Sequence, residues 1–331
     1  MKNNLIKYLC CLNCRGDLRL TNHSNDNETT NGKLNCINCN KTYEILNGVP
    51  IFTNFYSDQN YKVKITAKNF AYSWQKFSRT DKSFYKGQFF DWINPINEDF
   101  LRGKFVLDAG CGKGHHLMTI SPYVKEAIGV DISDSAFIAY ENTKHLQNIH
   151  IIQADLNCLP LKDEIFDYIY SVGVVHHTEF PKVTTQNLYK KIKKDGVMSI
   201  WVYGKENNWW IIYLIDPMRK LITSILPPQI IHILSFFLAL FLFPILKLVY
   251  SPVNKFKILK PFSKILFYYP YLSYICNFDF IEINNIIFDH LAAPISHYLS
   301  KNEVKDLINF NSHKAKIEWH NENSWRILIT R

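Results

Sequence analysis

The sequence predicts an α/β protein built on a mostly parallel sheet, and three observations predict it. Apolar runs of strand length alternate with helical stretches between Lys104 and Val202. Three glycines follow directly on the first of those strands. The chain ends in two strand-like runs joined by a polar turn, the pattern of an antiparallel hairpin. Composition agrees: 331 residues, 47% hydrophobic and 20% charged, suit a sizeable core and exclude a disordered or fibrous chain. The formal net charge of +9 predicts attraction for anions, with nucleic acid, anionic lipid and acidic metabolites as partner classes.

The N-terminal segment carries the first motif. Five of the eight cysteines fall within the first 39 residues, and Cys11-x-x-Cys14 stands 21 residues before Cys36-x-x-Cys39. Each CxxC knuckle presents two thiolates, and two knuckles close a tetrahedral shell around one Zn²⁺. The alternative is four reduced thiols in an ordinary core, or a disulfide pair. The polar stretch Thr21–Gly32 offers little core for buried thiols. Cys10 lies one residue out of register with this pattern. Four thiolates leave no open position, so the expected role of the metal is structural. No long apolar core precedes the first cysteines in MKNNLIKYLCCLNC, which predicts a cytoplasmic protein in a reducing compartment. Residues 1–54 thus read as a zinc-ribbon-like domain, and the aromatic, polar residues 55–99 as a helical linker.

The remaining elements follow in order. Strands are expected at Phe105–Asp108, Ala127–Asp131, Ile149–Gln153, Phe166–Ser171 and Val197–Val202, with helices from about His115, over Ser135–Leu146 and over Thr184–Lys194. The hairpin falls at Ala315–His320 and Trp325–Thr330, around Asn321-Glu322-Asn323. Ser300 and Glu303 have capping-box spacing for a helix reaching about Phe310.

In Val106-Leu107-Asp108-Ala109-Gly110-Cys111-Gly112-Lys113-Gly114, the glycines let the backbone turn tightly and approach a ligand. Dinucleotide-binding loops look similar, so the loop alone selects no cofactor. Asp131 ends the second strand, where a carboxylate accepts from two ribose hydroxyls. Asp155 follows the third, placed for an adenine amine. The GxGxxG spacing is absent, which disfavours a nicotinamide cofactor.

VLDAGCGKG, GVDIS, QADLNCLPL, FDYIYSVGVVHHT and LYKKIKKDGVMSIWVY together resemble class I S-adenosylmethionine-dependent methyltransferases of the type 11 group. TYEILNGVPIF similarly resembles the close of a small zinc-ribbon domain. The resemblance covers roughly residues 70–204 and 300–331. It implies a Rossmann-like, seven-stranded, mostly parallel sheet with a terminal antiparallel hairpin, whose core comprises residues 100–204 and 300–331. It also implies that Asp108, Gly110, Gly112 and Gly114 line the methionine end of the cofactor. Ala109 and Cys111 within the loop, and Ser171 at the end of the fourth strand, are further candidates for cofactor binding. Asp131 and Ile132 are implied for ribose and adenine, and Asp155 and Leu156 for the adenine edge. Asp195-Gly196 replaces the Pro-Gly-Gly usual in relatives.

His176 and His177 follow the fourth strand and are the candidate catalytic residues, as a base for an acceptor that must lose a proton. The alternative is that they only shape the pocket floor. Ser-Val-Gly-Val stands where amine methylators carry Asn/Asp-Pro-Pro-Tyr, which disfavours DNA or glutamine methylation.

Residues 205–299 form a hydrophobic helical insertion expected to choose the substrate. Within it, Ile230–Leu246 is nearly unbroken in apolar character, and Lys247, Lys255, Lys257, Lys260 and Lys264 follow. Buried lid helices come first among the readings, a membrane-surface element second and a transmembrane helix third. The lysines read equally as a solvated face. Asp289, His290 and His297 are second-rank candidates for substrate contact. The expected function is methyl transfer to a small, hydrophobic or lipid-linked acceptor, in the cytoplasm or at the membrane surface. The alternatives are an RNA (rRNA or tRNA) methyltransferase gripping its substrate through the ribbon, and a non-catalytic cofactor-binding scaffold.

Overall fold

The computed structural model describes residues 1–21, 28–53, 60–77, 82–310 and 314–331, with backbone alone for 82–85. Strands β1 (Leu18–Thr21), β2 (Gly32–Cys36), β3 (Thr42–Leu46) and β4 (Val49–Ile51) form an antiparallel meander. Alternation sets its faces: Tyr43 and Ile45 of β3 point inward while Thr42, Glu44 and Leu46 are exposed. Asn47 and Gly48, both at positive φ, make the two-residue turn into β4. Residues 22–27 of the expected Thr21–Gly32 loop, residue 54 of the expected ribbon, and 55–59 and 78–81 of the expected linker lie outside the described residues.

Helices α1 (Tyr61–Lys76) and α2 (Lys82–Trp92) follow, α1 capped by the Asn60 side chain, which accepts from the Lys62 amide at 3.0 Å. The alternating core then runs β5 (Phe105–Ala109), α3 (His115–Ile120), β6 (Glu126–Asp131), α4 (Ser135–Thr143), β7 (Ile149–Gln153), β8 (Phe166–Val172), α5 (Pro181–Lys191) and β9 (Ile192–Tyr203). Every residue of β5 and β7 is buried, as a sheet covered on both faces requires.

Some boundaries depart from expectation. The helix over Ser135 stops at Thr143, where the Leu146 amide turns back to the Thr143 carbonyl at 2.8 Å. The helix expected to reach Lys194 ends at Lys191, because β9 begins pairing at Ile192 with Phe166. The register then shifts, with Asp195 at positive φ, before Val197 meets Tyr168.

The insertion contains α6 (Pro228–Ile245) and α7 (Phe280–Ala292), and the chain returns through α8 (Lys301–Leu307). Ser300 and Glu303 form both bonds of the capping box. Strands β10 (Ala315–His320) and β11 (Ser324–Thr330) close the chain, and β11 lies antiparallel between β9 and β10. The strand order is β1-β2-β3-β4-β7-β6-β5-β8-β9-β11-β10. The seven strands β5 to β11 are the Rossmann-like sheet the sequence predicts.

The ribbon is continuous with that sheet. Ile51 of β4 pairs in parallel with Gln153 of β7, and the Phe52 amide donates to the Gln153 carbonyl at 2.9 Å. The N-terminus is fastened as well. Buried Lys2 donates to the carbonyls of Leu146 and Ile149 at 2.6 and 2.8 Å. Glu126, at the start of β6, accepts from Tyr8, from Asn4 at 3.1 Å and from His150 at 2.7 Å.

Candidate active site

The loop after β5 is shaped by what packs on it. Gly110 has φ 91° and a Cβ there would stand 2.3 Å from Val174; Gly112 has φ 50° and its Cβ would stand 2.9 Å from the Trp74 indole nitrogen. Only glycine meets both demands, open dihedral space and no side chain. The amides of Gly110 and Cys111 both donate to the Val130 carbonyl, at 2.8 and 3.0 Å, which binds the loop to β6. The Asp131 carboxylate accepts from the Gly112 amide at 3.0 Å and from the amide and hydroxyl of Ser133 at 2.9 and 2.7 Å. Asp108 is buried below and accepts from the Tyr170 hydroxyl at 2.8 Å. Burial pushes its carboxyl up to about 8, so it is protonated at neutral pH. The Ser171 hydroxyl donates to the Ala109 carbonyl at 2.9 Å and joins the ends of β8 and β5.

A cavity of about 530 Å³ opens at the carboxyl ends of β5 to β9, where an open α/β sheet places its ligands. Gly110, Cys111, Gly112, Asp131, Ile132, Asp155 and Leu156 line it. Asp108, Ala109, Gly114 and Ser171 are buried outside the lining.

Much of the rest of the wall is aromatic. Trp92 and Trp201 pack with centroids 5.2 Å apart, and Tyr203 stacks with Tyr298 at 5.5 Å. Residues expected to be a linker supply part of it: Phe70 and Trp74 of α1 and Trp92 of α2 line the cavity. Lys113 fastens α1 to the glycine loop, donating to the Phe77 carbonyl at 2.9 Å with its ammonium 5.3 Å from the Trp74 ring centre. Composition alone marked that segment as aromatic and helical; nothing local in it signals that it folds back over the loop.

The insertion lines the cavity through α7 and the segment before it, with Tyr271, Phe278, Asn285, Asp289 and His290. The apolar run Ile230–Leu246, where lid helices are expected, forms no part of the lining. It packs behind α7, where Ser235 donates to Asn284 at 2.7 Å.

The two histidines separate. His177 lines the cavity; its Nδ1 lies 2.7 Å from the Ile295 carbonyl, which fixes the proton there and leaves Nε2 as the acceptor. Burial lowers it to about 3. His176 is fully buried away from the cavity, with both ring nitrogens unpartnered among the described residues and burial holding it well below the usual range. The expectation that His176 faces the methyl group is therefore corrected, since Val175 and His176 turn into the core. Asp289 also lines the cavity; burial pushes it up to about 7, and Ser73 donates to it at 3.1 Å. His297 lies outside the cavity lining and donates its amide to the His176 carbonyl at 2.8 Å.

At the far end of the sheet, the thiols of Cys11, Cys14, Cys36 and Cys39 lie within 4.8 Å of one another. Cys11 and Cys39 are 3.6 Å apart and Cys14 and Cys36 3.4 Å. A tetrahedral Zn–S₄ shell needs sulfur separations of about 3.8 Å, so the four fit the metal. Cys10 is buried and does not join the group.

Fold and sequence meet over one segment: residues 107–200 match the family described as methyltransferase domain. Among relatives, the tRNA U34 carboxymethyltransferase of Aeromonas hydrophila is 29% identical over 133 residues, covering 34% of this chain and 41% of the relative. The enzyme of the same description from Pseudoalteromonas atlantica is 31% identical over 115 residues, covering 33% and 35%. The chain thus spans about two-fifths or less of the length of these curated relatives. Among solved structures, a putative S-adenosyl-L-methionine-dependent methyltransferase from Methanococcus maripaludis is 15% identical, with a TM-score of 0.42 over 83% of this chain and 95% of that one.

Proposed function

We propose that this chain transfers the methyl group of S-adenosylmethionine to a planar acceptor group admitted to the aromatic cavity. The observation that carries the reading is one cavity shared by the Gly110–Gly112 loop, Asp131 and Asp155 on one side and Trp92, Trp201, Tyr203 and Asp289 on the other. In this reading Gly110, Cys111 and Gly112 receive the methionine end, shaped from behind by Asp108, Ala109, Gly114 and Ser171. Asp131 and Ile132 take the ribose and adenine, and Asp155 and Leu156 the adenine edge. The bound sulfonium supplies an already activated methyl group, so the chain's own work is to orient the acceptor and exclude water. Trp92, Trp201 and Tyr203 do so by stacking. Where the acceptor must lose a proton, Asp289 receives it, because a group near 7 suits neutral pH and His177 at about 3 is too weak a base. Cys11, Cys14, Cys36 and Cys39 hold one structural Zn²⁺ in the ribbon, residues 1–54.

Of the acceptor classes, RNA draws support from the relatives' printed names, and a lipid-linked acceptor draws none. A base turned out of its stack is a planar group that aromatic walls suit. A small apolar metabolite is the second reading, favoured by the aromatic enclosure. A cytoplasmic location accompanies both. The test pairs cofactor calorimetry with transfer of radiolabelled methyl to bulk tRNA and to a small-molecule extract. Label in tRNA supports the first reading and label in the extract the second. Cofactor binding without transfer points to the scaffold alternative, and absence of cofactor binding overturns the proposal.

A further inference from the structure

We infer that α6 and the lysine-rich segment after it form a docking surface for an anionic lipid bilayer. The inference is independent of which acceptor the cavity takes.

A helix on the surface of a water-soluble protein buries one apolar stripe and shows a polar face to water. Helix α6 does not. Its inner stripe, Ile231, Ser235 and Ala239, is buried against α7. Its outer stripe, Ile233, Phe237, Leu240 and Phe241, recurs at helical spacing and is equally apolar, and Phe241 is 74% exposed. The stripe continues through Leu248, one turn beyond the helix. Aliphatic and aromatic side chains in an unbroken outward band mark an interaction site.

Charge identifies the occupant. From Pro217 to Phe278 the chain has no Asp or Glu, but it has Arg219, Lys220, Lys247, Lys255, Lys257, Lys260 and Lys264. The helical turns Lys257–Lys264 bury no residue, and there Lys257, Lys260 and Lys264 alternate with exposed Ile258, Phe262 and Ile265, Ile258 being 84% exposed. Basic residues interleaved with large apolar ones suit a bilayer interface, where the apolar groups enter the acyl boundary and ammonium groups meet anionic headgroups. A second copy of the chain would bring two like-charged bands face to face. Nucleic acid would meet the lysines but gains nothing from the outward Leu and Ile.

The helix lies on the membrane and does not cross it. The helical run continues from Pro228 to Lys255, 28 residues, long and apolar enough by itself to cross the hydrocarbon core. The inner stripe of α6, however, is committed to the protein through Ser235 and Asn284. Just beyond α6, Lys247 donates to the carbonyls of Cys276 and Phe278 at 2.7 and 2.8 Å. A lipid-surrounded span would break these bonds in a medium with no replacement for them.

The experiment is flotation of the full chain with phosphatidylcholine vesicles, with and without about one third phosphatidylglycerol. Two variants accompany it, Phe237→Asp/Phe241→Asp and Lys257→Glu/Lys260→Glu. The parent is expected to float with the anionic vesicles and to be released by high salt. Each variant is expected to lose binding by about tenfold or more. Thermal melting and cofactor affinity equal to the parent's would show that both variants are folded, as exposed positions allow. Three results overturn the inference: no flotation of the parent; flotation retained by the aspartate variant; or a parent dimer in sedimentation that this variant dissociates without any lipid binding. Binding of the parent to RNA in place of vesicles would overturn it as well and assign the lysines to nucleic acid.

Discussion

Trp74 of α1 stands on Gly112 of the loop after β5, so close that a Cβ on the glycine would lie 2.9 Å from the indole nitrogen. A residue nearly 40 positions upstream thus sets the headroom over the loop. Gly112→Val is expected to weaken S-adenosylmethionine binding by about 10- to 100-fold, from steric crowding and an unfavourable positive φ together. Trp74→Ala in the same chain should recover part of the loss, because it removes the crowding and leaves the dihedral cost. Calorimetric titration of the single and double variants decides it. Equal affinities for Gly112→Val and the parent would remove the loop from the cofactor site.

Asp289 gives a signature in stability that needs no known acceptor. Its carboxyl is raised to about 7 by burial, while in the unfolded chain it titrates near the ordinary value of 3.8. The unfolded state therefore releases this proton first, and stability falls as pH rises between those two values. Asp289→Asn should remove that fall and gain about 1–3 kcal/mol at about pH 8, a range that allows for partial exposure. Denaturant titrations of both proteins across pH test this, and parallel pH profiles would refute the raised carboxyl.

Glu126 acts in the opposite sense. Burial alone would raise it, but hydrogen bonds from His150 and Tyr8 outweigh burial and hold it below its ordinary 4.5. Its stabilising contribution is complete above that value and is lost as pH falls through the lowered folded-state value. His150 is lowered by burial, so acid also costs stability below its ordinary 6.5 as the unfolded chain takes up a proton. Glu126→Gln should cost about 1–3 kcal/mol at neutral pH and flatten the acid limb of a thermal melting series. An unchanged acid limb would show that the carboxylate does not hold the N-terminus.

The ribbon should carry one zinc per chain. Cys14→Ser, or a chelator on the parent, should release it and lower the melting temperature by about 5 °C or more. Elemental analysis and calorimetry read the two effects separately. A metal-free parent with an unchanged melting temperature would leave four ordinary thiols.

The sequence made the sheet legible because β5 to β8 are largely buried, mainly apolar runs whose pattern depends on nothing distant. The glycine loop, Asp131 and Asp155 were legible for the same local reason. What lay beyond it was relational. Nothing in Phe70, Trp74 or Trp92 announces that α1 and α2 fold over the loop. The adjacent His176 and His177 are indistinguishable as a motif, yet one turns into the core and the other into the cavity. Apolar character in Ile230–Leu246 could not say which side of α7 the helix would take. The strand β4 is three residues long and its partner lies a hundred positions away, so its join to β7 left no periodic trace.

That join has a practical meaning. A chain trimmed to begin after Phe52 would uncover β7, whose five residues are all buried in the whole protein. An apolar strand with unpaired amides and carbonyls is a template on which other chains add. The four ribbon strands serve as the selvedge of the sheet, ending it at β1, a short strand with Arg19 exposed. A catalytic core prepared without them should come out of solution as aggregate even where every cavity residue is intact.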